Sequence, residues 1–358
     1  MISSQKALEI ILDQAEDFGV EEIPFTRALN RVLKEEIVAD RDFPPFDRVS
    51  MDGIAFDSDT FDKGTRNFPV ESLQAAGSKQ LNLKNSENCI EVMTGAILPK
   101  NTNTVIRYED IELKNGIATI KIETIIKGQN IHQKGLDRRI GDILIRKNTL
   151  ISPAEAGVLA TVGKKAVQVA KTPRVMVIST GDELVEVDEI PAAYQIRRSN
   201  VYTLVSLLKR LEISADNDHI IDDKAQLKDR IKEYLDTYDV LLFSGAVSKG
   251  KYDHLPDILE ELGVEKLFHR VAQRPGKPFW YGKKNKVSVF AFPGNPVSTF
   301  VGCLKYFYPW YQKSVGIAYN HKGKAILSED FEFKPELTYF LQVKLDMDGG
   351  LKLSLIHI

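Results

Sequence analysis

At 358 residues the chain is longer than one ordinary domain, and 43% apolar residues suffice for more than one core. A formal net charge of -2 and a pI near 6.4 leave no basic footprint for nucleic acid, and no apolar run approaches a membrane span. The two cysteines, Cys89 and Cys303, match neither a disulfide framework nor a zinc spacing, and the N-terminus lacks the basic-then-apolar order of a secretion signal, so a cytoplasmic location is expected.

Apolar residues at helical spacing predict a helix over Ser3 to Phe18 and a second, shorter one over Thr26 to Leu33. The Pro44-Pro45 pair breaks this pattern. From residue 45 to 141 the chain is rich in β-branched residues, and Asn115-Gly116 between two such runs signals a tight hairpin, so this stretch is expected to be a separate β-rich module. Ser152-Pro153-Ala154-Glu155 starts a further helix, with Ser152 as N-cap and Pro153 at the first helical position. Residues 1–44 and 142–171 together are therefore read as a helical connecting domain.

Over 172–318 strands alternate with helices such as Val201 to Leu211 and Lys224 to Leu235, which reads as an α/β domain on a central, mainly parallel sheet. The strand candidates are Arg174 to Ser179, Ile213 to Ile221, Asp239 to Phe243, Val264 to Ala272 and Val287 to Phe292, with a last helix through Cys303 to Tyr311. Beyond it, Ala325 to Leu327 and Tyr339 to Leu345 read as strands of an incomplete C-terminal β module, 319–358. The fold class is thus α/β multidomain.

Each strand of the α/β domain ends in a polar turn, and open α/β sheets bind ligands beyond the carboxyl ends of their strands. In Pro293-Gly294-Asn295-Pro296-Val297-Ser298, Asn295 can cap a helix whose free N–H groups suit an anion, although a capped helix without a ligand explains this motif on its own. Arg274-Pro275-Gly276-Lys277-Pro278 offers two cations on a proline-stiffened loop, with Arg270 expected on the same strand face as Arg274; the bland alternative is a solvated basic loop. Against these cations stand Asp182, Glu183, Asp222, Asp223 and Asp253. Carboxylates beside a phosphate loop repel the substrate unless a hard cation such as Mg²⁺ intervenes, which argues for metal-assisted chemistry on a diphosphate, although either Asp222 or Asp223 could merely cap the helix at Lys224. Ser244-Gly245-Ala246-Val247-Ser248 brings small residues and backbone N–H groups to a ligand, but it is neither a phosphate loop of the Walker type nor a nucleophile elbow.

Taken in order, further motifs make a pattern: Phe43-Pro44-Pro45-Phe46 with Ser50-Met51-Asp52-Gly53, Met93-Thr94-Gly95-Ala96 with Glu109-Asp110, Gly135-Leu136-Asp137, Ser179-Thr180-Gly181-Asp182-Glu183-Leu184, the Ser244 to Asp253 segment, Pro275-Gly276-Lys277-Pro278 and Pro293-Gly294-Asn295-Pro296. Over nearly its whole length the chain resembles the molybdopterin molybdenumtransferases. The resemblance implies conversion of adenylylated molybdopterin and molybdate, with Mg²⁺, to molybdenum cofactor and AMP. It also implies a homodimer whose cleft joins the sheet domain of one subunit to the β-rich module of the other, with molybdopterin adenylyltransferase and molybdoenzyme apoproteins as partners.

By position, the resemblance implies Asp52, Asp137, Glu183, Asp222 and Asp253 as the acidic catalytic set, with Asp222 and Asp253 on the metal. It assigns substrate contacts to Thr94, Ser244, Gly245, Ser248, Arg270, Arg274, Lys277, Pro293, Gly294, Asn295 and Ser298. This chain departs from the family's pattern at several points. Arg270 and Arg274 stand where relatives place lysines, Ala246 replaces a glycine, His132 stands in place of an arginine, and Gln342 takes the place of an arginine after Phe340 in a shortened C-terminal module. Two alternatives compete: a molybdopterin adenylyltransferase, which has no need of the Asp52 and Thr94 module, and a scaffold retaining the fold, which has no need of Asp52, Asp222 and Asp253.

Overall fold

The computed structural model of the chain describes residues 1–245, 247, 254–317, 326–346 and 352–355. The chain forms two compact units. One comprises Met1–Glu35, Lys147–Ala156 and Lys165–Ile358, the other Glu36–Arg146 and Gly157–Lys164.

The unit built on Glu36–Arg146 holds a six-stranded sheet in the order Thr104–Arg107, Gly53–Phe56, Cys89–Val92, Asn67–Gln74, Ile117–Ile120, Ile111–Lys114. Neighbours are antiparallel except Asn67–Gln74 beside Cys89–Val92. Because strand side chains alternate, Ile54, Phe56, Cys89 and Ile106 enter one apolar cluster while Ala55, Ile90, Val92 and Val105 enter another. The expected hairpin is present: Asn115 and Gly116 have φ of 51° and 74°, as a two-residue primed turn requires. Gly53 is forced by proximity, since a Cβ there would lie 1.9 Å from the Ile106 carbonyl oxygen; it holds the neighbouring Asp52 close to the sheet.

The other unit is built on a second six-stranded sheet, ordered Ala215–Ile220, Val175–Thr180, Val240–Ser244, Val287–Phe292, Trp280–Lys284, Glu265–His269. The first three pairings are parallel and the last two antiparallel, so the sheet is mixed rather than mainly parallel. The expected strand Val264 to Ala272 breaks at Arg270, whose φ of 73° is costly for a residue with a side chain. Glu265–His269 becomes the antiparallel edge, while Val271–Arg274 leaves to pair with Ile2–Ser3 and Thr338–Tyr339. The break also overturns the expectation that Arg270 and Arg274 share one strand face.

Strands covered on both sides read as continuous apolar runs, and these do. Val175, Val177, Val240, Leu242, Phe290 and Phe292 belong to a cluster with helices Ser4–Asp13 and Asn200–Lys209 and the helical run 296–314. Met176, Ile178, Leu241, Phe243, Val289 and Ala291 pack with helices Lys224–Thr237 and Leu255–Glu261. Each fully buried large side chain contributes about 1.5–3 kcal/mol, so these two layers hold the strand ends in place.

Helix ends follow the local chemistry. The Ser3 hydroxyl accepts from Lys6 N–H at 3.1 Å, and Ser152 accepts from Ala154 N–H at 3.1 Å while Glu155 accepts from Ser152 N–H at 2.9 Å, a reciprocal cap at the start of Pro153–Thr161. The expected helix Thr26 to Leu33 is absent. Only Phe25–Arg27 forms a 3₁₀ turn; Asn30 enters the left-handed region at φ 61°, and Val32 and Leu33 bridge to Leu150 and Val169 instead. The connecting segments are correspondingly less helical than expected, with Val20–Pro24 pairing antiparallel to Ala166–Ala170. The expected strand Tyr339 to Leu345 is split into Thr338–Tyr339 and Val343–Asp346; the latter pairs with Lys352–Leu355, whose other neighbour is Ile326–Leu327.

Candidate functional site

Three parallel strands deliver their polar ends to one cleft in the sheet unit. Val175–Thr180 leads to Thr180 and Glu183, Val240–Ser244 to Ser244 and Gly245, and Val287–Phe292 to Gly294 and Pro296, and all of these line the cleft. The loops are held close. A Cβ on Gly245, which has φ 109°, would stand 3.1 Å from the Thr180 carbonyl oxygen, and one on Gly181 would meet the Glu183 carboxylate at 2.5 Å. Glu183 is exposed, with its carboxylate folded over Gly181.

The remaining wall of the cleft includes residues 197–200, which the sequence reading passed over. Asn200 Nδ2 donates to Ser244 Oγ and to the Gly294 carbonyl, each at 2.8 Å, so one amide ties two strand-end loops together. Arg198 is buried, donating to Glu186 at 2.5 Å and to Asn217 Oδ1 at 2.9 Å. Thr180 Oγ1, Arg198 Nε and Asn200 Oδ1 are buried and find no hydrogen-bond partner among the described residues. Buried polar atoms without partners are costly, so their gathering on one wall marks a place for polar ligand groups. The signal for this wall was Ser199-Asn200 ahead of the apolar-periodic Val201 to Leu211, a helix start with an unusually polar head.

Asn295 caps its helix as expected: its Oδ1 accepts from Ser298 N–H at 3.1 Å and lies 3.2 Å from Ser298 Oγ, with Pro296 at the first helical position. Ser298 is buried, and Pro293 O accepts from Thr299 Oγ1 at 2.7 Å. The basic loop reaches this cap, since a Cβ on Gly276 would be 3.7 Å from that of Ser298. Arg274 and Lys277 are exposed, the Arg274 guanidinium lying 5.6 Å from the centre of the Tyr339 ring. Arg270 is half-buried; its N–H donates to Phe279 O, and its Nε has no hydrogen-bond partner among the described residues.

Of the adjacent acids, Asp223 is the helix cap, accepting from Gln226 N–H at 2.8 Å, which fulfils the bland alternative for that residue. Asp222 follows the Ala215–Ile220 strand, and its N–H donates to Asp182 Oδ1 at 3.0 Å, bringing two acidic residues from different strand ends together. Asp253, Ser248 and Ala246 lie outside the described residues. Among the described residues no group of three or more His, Cys, Asp or Glu side chains is placed to hold a metal ion.

In the β-rich unit, Asp52 Oδ1 accepts both the N–H and the hydroxyl of Thr94, at 2.6 and 2.7 Å. These bonds, the backbone one foremost, hold its carboxyl below the usual range for aspartate. Asp137 is exposed and meets His132 Nε2 at 2.9 Å, so His132 faces this carboxylate.

Sheet, cleft and capped loops define an α/β fold with a polar ligand cleft at its strand ends, and comparison with known proteins says which kind. Residues 2–163 match the MoeA N-terminal region (domain I and II), and residues 176–313 match a probable molybdopterin binding domain. A molybdopterin molybdenumtransferase of Synechocystis sp. is 39% identical over 96% of this chain and 87% of its own length; one from Staphylococcus aureus is 31% identical over 98% and 85%. A molybdopterin biosynthesis MoeA protein of Pyrococcus horikoshii superimposes with a TM-score of 0.82 at 27% identity, covering 99% of this chain and 89% of that one. The chain belongs to the molybdopterin molybdenumtransferase family.

Proposed function

We propose that the protein transfers molybdenum from molybdate to adenylylated molybdopterin, releasing AMP and leaving molybdenum cofactor. The observation that carries this reading is the cleft at the carboxyl ends of three parallel strands, where Glu183, Ser244, Gly245 and Gly294 converge and Asn200 binds two of the loops together. Family membership over 96% of the chain, including the unit that bears Asp52 and Thr94, favours this over an adenylyltransferase. The acidic residues favour it over a scaffold.

The substrate carries a diphosphate, and molybdate is a doubly charged oxyanion. Arg274, Lys277 and the N–H groups at the Asn295-capped helix would meet these oxygens, with Arg270 as a further cation. Ser298 donates both its N–H and its hydroxyl to Asn295 Oδ1, so its hydroxyl would have to turn away from that cap to meet molybdate. Mg²⁺ suits the donor chemistry, because it needs only one or two carboxylates beside substrate phosphates; Asp222 and Asp253 would hold it. When bound it neutralises phosphate charge. The Asp222 N–H donates to the Asp182 carboxylate, so two acidic residues from different strand ends adjoin where the cation would sit. Glu183 and Asp137 would orient the reacting groups and accept protons from them.

The proposal extends to a cytoplasmic homodimer in which Asp52 and Thr94 of one subunit complete the cleft of the other, supplied by molybdopterin adenylyltransferase and serving molybdoenzyme apoproteins. Among the described residues no helix is long and apolar enough to cross a membrane. The test is incubation with adenylylated molybdopterin and Mg²⁺, following AMP with and without molybdate. Molybdate-dependent AMP release is expected; AMP formed equally without molybdate, or not at all, rejects the assignment.

A further inference from the structure

The basic loop Arg274–Lys277 is fastened from inside the protein. Gln273 is 2% exposed, and its Nε2 donates to the carbonyls of Pro275 at 3.1 Å and Gly276 at 3.2 Å. Carbonyl oxygens only accept, so this placement fixes the orientation of the amide and turns Oε1 the other way, where it accepts from the fully buried Tyr306 hydroxyl. Both donors and the acceptor of one buried amide are therefore used. Gly276 lies so close, at φ 86°, that a Cβ there would come within 2.9 Å of Gln273 Nε2. The loop ends are tied as well, Lys277 O accepting from Val271 N–H at 2.9 Å and Arg274 O from Phe340 N–H at 2.8 Å.

Tyr306 reaches this amide from an unusual stretch of helix. Between Pro296–Gly302 and Tyr308–Ser314 the helical run widens to a π-turn over Cys303–Phe307. Such turns are rare, occur mostly as single-turn bulges inside α-helices, and are frequent at functional sites. Here the ring stacks on Phe279 at 4.8 Å between centroids, leaving its hydroxyl on Gln273. An apolar side chain would fill the position of Gln273 without needing any partner; what the amide adds is control of two loop carbonyls.

We infer that Gln273 and Tyr306 are positioning residues: a buried relay that holds the Arg274–Lys277 loop in the shape that presents its two cations to the anionic substrate. This rests on the reading of that loop as an anion contact. Without the phenol, Gln273 can turn and release the carbonyls, the loop relaxes, and Arg274 and Lys277 lose their fixed spacing. Misplacement by an ångström is enough to weaken a charge contact severalfold or more.

The test is a double-mutant cycle on AMP release, using the full chain and varied adenylylated molybdopterin at fixed molybdate and Mg²⁺. Tyr306→Phe should lower kcat/KM about tenfold, mainly through KM, with kcat within about twofold. In an Arg274→Ala/Lys277→Ala background the same change should cost nothing further, because the groups being positioned are gone. Gln273→Met should reproduce both results, and it serves if Tyr306→Phe folds poorly. A wild-type kcat/KM in Tyr306→Phe and Gln273→Met, or a loss that repeats in full in the background lacking both cations, overturns the relay. Wild-type kinetics in Arg274→Ala/Lys277→Ala itself would instead remove the anion-contact reading of the loop, and the relay with it.

Discussion

The two units prepare their acidic residues in opposite ways. In the β-rich unit Asp52 is already satisfied, one carboxylate oxygen taking both hydrogen-bond donors of Thr94, with Gly53 packed against the sheet behind it. In the sheet unit the cleft is left wanting: Thr180 Oγ1, Arg198 Nε and Asn200 Oδ1 are buried without partners among the described residues, and Asp182 and Asp222 are drawn together. A group whose bonds are complete is fixed in orientation, whereas a wall of incomplete ones gains most when a ligand arrives. One unit holds a carboxylate already fixed in orientation, and the other holds a polar pocket.

The largest effect expected from breaking this contrast is at Asp253, proposed above as a holder of Mg²⁺, where asparagine keeps the shape and loses the charge. Asp253→Asn should lower AMP release by about a hundredfold to a thousandfold with an unchanged thermal midpoint. Wild-type turnover would remove the residue from the chemistry.

Next in size is a mixture of subunits. If Asp52 serves the cleft of the partner subunit, mixing equal amounts of Asp52→Ala and Asp253→Ala chains gives half heterodimers with one intact cleft in two, and about a quarter of wild-type activity should return. Once subunit exchange is verified, an absence of recovery would place both residues on one subunit's cleft.

A smaller effect sharpens the view that Asp52 is preset. Thr94→Val removes the hydroxyl and keeps the backbone bond, so the Asp52 carboxyl should titrate partway back toward its ordinary range, with only a severalfold loss of turnover. Because the folded value lies below the unfolded one, the stabilisation from these bonds is complete above the ordinary carboxylate range and fades as pH falls through the depressed value. Carboxyl NMR of both forms measures it. An unmoved Asp52 titration in Thr94→Val would show that the hydroxyl does nothing for the carboxylate.

Local chemistry was readable in the sequence wherever one short motif decides the outcome. The caps at Ser152, Asp223 and Asn295, the Asn115-Gly116 hairpin and the apolar strands covered on both sides all formed where the residues indicated. What the sequence concealed depended on distant partners. Arg270 reads as part of a strand, yet its left-handed backbone splits that strand, and the sheet is mixed because Trp280–Lys284, not expected as a strand, pairs antiparallel with both Val287–Phe292 and Glu265–His269. Val32 and Leu33 have the spacing of a helix but take bridges to Leu150 and Val169. Asn200 and Arg198 were hidden for a related reason: their roles lie in bonds to Ser244, Gly294 and Asn217, far along the chain.

The adjacent pair Asp222 and Asp223 gives the most direct test of the central claim, that carboxylates beyond the parallel strands carry the chemistry while their neighbours only shape the ends of helices. Asparagine caps a helix about as well as aspartate, so each substitution leaves the local fold intact. In the AMP-release assay, Asp222→Asn should lose about a hundredfold in turnover and Asp223→Asn should stay within about twofold of wild type. Equal activity in the two variants, or a greater loss at Asp223, would contradict it.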